Sequence, residues 1–172
     1  MADATAGEGA TKQERVDFLK QSMAFNEGNV RAYDIKAQIS LAAFVLSGNP
    51  LMAAINGTCG GSARQVLVIA LVVFVATILT YLWVLWPVAP PHQKLTEGLD
   101  AKNLFYINPM RLGAPQYSEQ LKALTVESEL TAETLKLSFI RSVKARRFKN
   151  ALIATVVAYL VAAFFAVGRC AF

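Results

Sequence analysis

VLVIALVVFVATILTYLWVLWPV, residues 66–88, runs for 23 residues without a charge. As an α-helix rising about 1.5 Å per residue it reaches about 35 Å, enough to cross the roughly 30 Å hydrocarbon core of a bilayer. Tyr81, Trp83 and Trp86 gather at its C-terminal end as an aromatic belt does at the interface, and Pro87, Pro90 and Pro91 stop the helix there. A buried core helix is the competing reading, and the length favours the membrane.

Two further apolar blocks lie on either side. Residues 150–168, NALIATVVAYLVAAFFAVG, are uncharged and close to the roughly 17-residue minimum for a span. Residues 37–55, AQISLAAFVLSGNPLMAAI, are interrupted by Ser47-Gly48-Asn49-Pro50. A proline removes a backbone donor and crowds the preceding turn, so Gly48, Asn49 and Pro50 predict a kinked first span, with a re-entrant or interfacial segment as the alternative. The first 36 residues mix both charge signs and hold no continuous apolar region, so no signal peptide is expected there.

Composition agrees with this pattern. The 172 residues suit one domain; 55 % are hydrophobic and only 17 % charged, with mean hydropathy +0.39, whereas a soluble domain carries about 25 % charged residues. A disordered chain is excluded and an ordinary soluble enzyme disfavoured. The net charge of +5 fits nucleic acid, an anionic ligand or a membrane surface, and its distribution decides. Five Lys or Arg precede residue 37 and ten lie within 89–149, leaving only Arg64 and Arg169 for the other side. The positive-inside rule then puts the N-terminus and the long middle segment in the cytoplasm, and the 57–65 turn and the 169–172 tail outside. With the charge so explained, no nucleic-acid partner is expected.

The expected architecture is an all-α membrane protein with three transmembrane helices. Its segments are a flexible 1–10, a cytoplasmic amphipathic helix 11–36, spans at 37–56, 66–88 and 150–168, and a cytoplasmic loop with helices over 89–149. Cys59 and Cys170 fall on the external face, either as a disulfide or as two free thiols. Asn56-Gly57-Thr58 matches a glycosylation acceptor, a weak signal alone. Two cysteines and one histidine, His92, offer no metal site.

Thr11-Lys12-Gln13-Glu14 has the form of a capping box at a helix start. Beyond it Val16, Leu19, Met23, Asn26, Val30, Tyr33 and Ala37 alternate at spacings of three and four, a heptad seam with one polar break. It packs either on another helix of the same chain or on a second copy. Residues 89–116 are rich in proline and glycine and read as an ordered loop carrying the apolar island Leu104-Phe105-Tyr106-Ile107. From Tyr117 onward helix formers dominate, so a helix is expected to run unbroken into the last span. Six cations crowd 136–149 without an acid; Arg141, Lys144 and Arg147 share one stripe beside Arg146. They form either a solvated, lipid-proximal face or a site for a phosphate-bearing ligand, which guanidinium groups grip with paired hydrogen bonds. Glu127, Glu129 and Glu133 read as a solvated acidic face. No catalytic constellation or Walker-type phosphate loop is present, so an enzyme is the least favoured class.

Tyr33-Asp34-Ile35-Lys36-Ala37 leads into the first span, Trp86-Pro87 leaves the second, Asn103-Leu104-Phe105-Tyr106 follows, and Lys144-Ala145-Arg146-Arg147-Phe148 precedes the last. Over roughly 15–168 this resembles the Pycsar transmembrane effector family of bacterial anti-phage defence, in which an Asp-x-Lys-Ala motif heads the first span. The chain departs from that pattern in Ile35, where a small residue is common, and in its Gly-Asn-Pro break. The resemblance implies a homo-oligomeric inner-membrane effector, without a cofactor, silent until a partner cyclase makes a cyclic pyrimidine mononucleotide such as cyclic UMP or cyclic CMP. The effector then compromises the membrane, causing abortive infection. Asp34 and Lys36 do not face one another on a helix. Either Asp34 pairs across to Arg146 or Arg147 as a switch that a ligand phosphate competes for, or Lys36 snorkels and Asp34 caps the span. The competing class is a structural or assembly subunit without a nucleotide response.

Overall fold

The computed structural model describes residues 11–56, 62–91, 97–99, 114–122 and 124–168. Within them lie four helices: α1 (Lys12–Asn56), α2 (Ser62–Leu85), α3 (Ala114–Lys122) and α4 (Val126–Gly168). There is no strand among the described residues. Two helices are long and apolar enough to cross a bilayer, α2 over Val68–Leu85 and α4 within Val126–Phe164. Only 22 % of the α2 window is buried inside the chain. A soluble core helix hides most of its surface, so that share favours a membrane helix. Among the described residues α2 and α4 are the two helices of that length and apolarity. Cys59, Cys170, Thr58, His92 and the island at 104–107 lie outside the described residues.

The chain divides into two compact units, Met1–Asn29 with Ala89–Arg141 and Val30–Val88 with Ser142–Phe172. In the first unit α1 begins with the capping box. The Thr11 amide donates to Glu14 Oε2 at 2.6 Å and the Glu14 amide to Thr11 Oγ1 at 3.3 Å. Arg15 Nε meets Glu127 Oε1 at 3.0 Å, tying α1 to the first turn of α4. Of the seam in this unit, Val16, Leu19 and Met23 are half-buried. Asn26, its polar break, is buried with Oδ1 unbonded. Glu129 and Glu133, expected in solvent, are buried, as is Lys136. Spacing of four and then three sets these side chains on one inward face, and Lys136 Nζ lies 3.5 Å from Glu133 Oε2, offsetting one charge with another.

In the second unit Ala37, Tyr81, Val84 and Ala151 form the core, one or two from each of three helices. Alanines on α1 and α4 let the backbones approach, and the Tyr81 ring fills the space between. Thr155 Oγ1 donates to the Ala151 carbonyl, so the Tyr81 hydroxyl donates to Thr155, at 2.9 Å. By the same logic Ser47 donates to the Phe44 carbonyl and accepts from Tyr159. Phe44 stacks on Phe74 at 4.9 Å and meets the Tyr159 ring edge-on at 5.8 Å.

α1 runs without a break through Gly48-Asn49-Pro50, so residues 11–36 and 37–56 belong to one helix. A proline inside a span is tolerated where neighbouring groups re-satisfy the freed carbonyl. Gly48 has a packing role: a Cβ there would overlap Cε2 and Cζ of Phe74.

Two outcomes follow from these contacts. Gly48→Val, by forcing the Phe74 ring off Phe44, is expected to lower stability in detergent by about 1–3 kcal/mol; an unchanged unfolding midpoint refutes that packing role. The Thr11 backbone bond first, and its hydroxyl second, hold the Glu14 carboxyl below its ordinary value. Its contribution is therefore complete above the usual glutamate range and is lost as pH falls through the depressed value. NMR titration of Glu14 together with first-turn amide exchange checks this, and a midpoint at or above the ordinary one contradicts it.

Candidate functional site

The second unit holds a polar junction where the C-terminal end of α2 meets α1 and α4. Its origin is Pro87. A helical carbonyl accepts from the amide four residues on, and for Trp83 that residue is Pro87, which has no N–H. α2 also has no basic residue in its own last turn. Arg147 of α4 supplies both needs. Its Nη1 donates to the carbonyls of Trp83 at 3.0 Å and Trp86 at 3.2 Å, and its guanidinium carbon lies 4.8 Å from the centre of the Trp83 ring. The cation thus sits at the negative end of the α2 dipole and over an electron-rich face. Arg147 Nε is buried without a hydrogen-bond partner.

One turn earlier on α4, Lys144 is buried and its ammonium pairs with the Asp34 carboxylate on α1. The lysine side chain is 8 % exposed and the aspartate 32 %, so the negative partner is the one solvent or a solute can reach. Tyr33 and Phe148 pack beside this pair with ring centres 6.0 Å apart.

Asp34 therefore reaches the basic stretch of α4, but its partner is Lys144 and not Arg146 or Arg147. The register of one helix against another, which local spacing does not encode, accounts for the difference. Arg147 is occupied by the end of α2, and Arg146 and Lys36 are exposed. Arg141 is half-buried and belongs to the first unit. The four cations on one stretch of sequence thus have four surroundings. The Trp83 and Trp86 carbonyls went unnoticed in the sequence, although the Trp-x-x-x-Pro spacing at 83–87 signals one unsatisfied acceptor. No group of His, Cys, Asp and Glu able to hold a metal occurs among the described residues.

A family model described as the Pycsar effector protein domain matches residues 18–169. The chain belongs to the Pycsar effector family. No curated protein and no solved structure matches it. As a Pycsar effector it acts in anti-phage defence, in a family of membrane effectors linked to a cyclase-derived messenger. The apolar α2 and α4 agree with membrane association. The matched range takes in every residue of the Pycsar effector's junction, from Tyr33 to Phe148.

If the missing Pro87 amide is what commits Arg147 to α2, restoring an amide must weaken that commitment. Arg147→Met is expected to cost about 1.5–3 kcal/mol in the native background and less than half of that in Pro87→Ala. Chemical unfolding of the four proteins in one detergent gives the coupling, and strict additivity of the two changes rules it out.

Proposed function

We propose that the chain is an inner-membrane effector that a cyclic pyrimidine mononucleotide, cyclic UMP or cyclic CMP, switches from a silent to a membrane-impairing state, stopping growth of the infected cell. In this reading it crosses the membrane three times, at 37–56, 66–88 and 150–168, with the N-terminus cytoplasmic and the C-terminus external, and several copies act together. Three helices from one copy do not enclose an aqueous pore, which is why copies must associate.

The observation that supports a ligand-driven switch is the Asp34–Lys144 pair. A buried ammonium neutralised by a half-exposed carboxylate is costly to leave alone, so an anion that takes the place of Asp34 has different affinities for the paired and unpaired arrangements. Exposed Arg146, two residues further along α4, adds positive charge at the same level of the helix for a cyclic phosphate. Arg147 is a further phosphate ligand in this proposal after leaving the Trp83 and Trp86 carbonyls, and Arg141 is a separate candidate in the first unit. Cys59 and Cys170, if external, are free to form a disulfide.

Induced expression with and without cyclic UMP or cyclic CMP, with membrane potential recorded, tests the reading. One nucleotide is expected to depolarise the cells, and Asp34→Asn at equal expression to move the half-maximal nucleotide concentration by roughly tenfold. Cells that hold their potential with both nucleotides, or a variant indistinguishable from the native protein, defeat it.

A further inference from the structure

The seam that α1 turns inward has a counterpart two residues on, and so about 200° around the helix, which faces outward. Phe18, Phe25, Ala32, Ile39 and Leu46 recur every seventh residue. The four large ones are 68, 64, 64 and 73 % exposed. Three residues after each of the first four come Gln21, Gly28, Ile35 and Ala42, all exposed, Ile35 by 55 %. The alternation of three and four is thus unbroken from Phe18 to Leu46. All nine positions lie on one helix, so their common face follows from helical geometry alone.

Lipid covers the part of this face inside a bilayer, but not all of it. Phe18 precedes Ile35 by roughly 25 Å of helix axis and stands among Lys12, Arg15, Asp17 and Lys20. Two phenyl rings held in that polar stretch favour a protein cover. At about 150–250 Å² for an aromatic side chain, and somewhat less for Ile and Leu, the five large residues expose roughly 500 Å² per copy. A pair buries about 1,000 Å², the lower bound for a specific interface. Sustained seven-residue periodicity fits a helix of the same period better than an arbitrary surface.

We propose that this outward face of α1 is the interface between copies of the chain, with α1 helices packed side by side as a parallel coiled coil before any messenger binds. The inference rests on the reading that the chain spans a membrane, which fixes both copies in the same orientation, and it names the surface by which they associate.

Disulfide trapping in membranes of cells expressing the full chain, without nucleotide, tests it in a Cys59→Ser, Cys170→Ser background. Phe25→Cys places its thiol on the outward face, where paired Cα atoms come within about 7 Å, and Glu27→Cys places it about 200° away. Mild oxidation is expected to give roughly five times more dimer from Phe25→Cys. Equal yields, or no dimer from Phe25→Cys, overturn the interface. As a second reading, the native chain in mild detergent is expected at twice its monomer mass or more, and the Phe18→Glu, Phe25→Glu variant as a monomer with unchanged helix content. A native monomer overturns the proposal. Strong trapping at residue 25 in cells that keep their potential with either nucleotide defeats the switch and supports the interface; depolarisation with equal trapping at 25 and 27 does the opposite.

Discussion

One carbonyl without a donor organises the second unit. Pro87 ends α2 but leaves the Trp83 oxygen with nothing inside its own helix to accept from, and in a low-dielectric setting an unpaired backbone acceptor is costly. The nearest remedy is a side chain from elsewhere with several donors in a fixed plane, which is what arginine offers and lysine does not. Once Arg147 is set against the end of α2, the azimuth of α4 is fixed. Lys144, three residues earlier, then points to α1 and finds Asp34, while Ala151, four residues later, closes on Tyr81. Ion pair, core and cap are consequences of a single placement.

Much of this was readable in advance, and what was not has a common cause. The 66–88 run, the Thr11–Glu14 box and the long final helix are local facts, decided by composition and short spacing. The basic stretch of α4 was the right place to seek a partner for Asp34, but which cation meets it depends on how far one helix slides along another, and that is set by contacts remote in sequence. The acids at 129 and 133 were misjudged because a run of carboxylates suggests solvent, whereas Lys136 three residues on allows burial. Gly48 reads in the sequence only as part of a kink signal with Asn49 and Pro50; that its smallness also makes room for the Phe74 ring depends on a helix remote in sequence.

The two long helices each contribute to both compact units, α1 with 45 residues and α4 with 43. In the second unit Asp34 and Lys144 are 110 positions apart and Ser47 and Tyr159 are 112, so α1 and α4 run parallel there.

Within the second unit the Asp34–Lys144, Ser47–Tyr159 and Tyr81–Thr155 contacts act as teeth on a rack. Helices with only greasy faces can creep past one another by fractions of an ångström, but teeth disengage together or not at all, and the next seating lies about one turn, roughly 5 Å, away. A helix bundle geared in this way has no half-way position. Whatever moves it, the response is a click and not a drift.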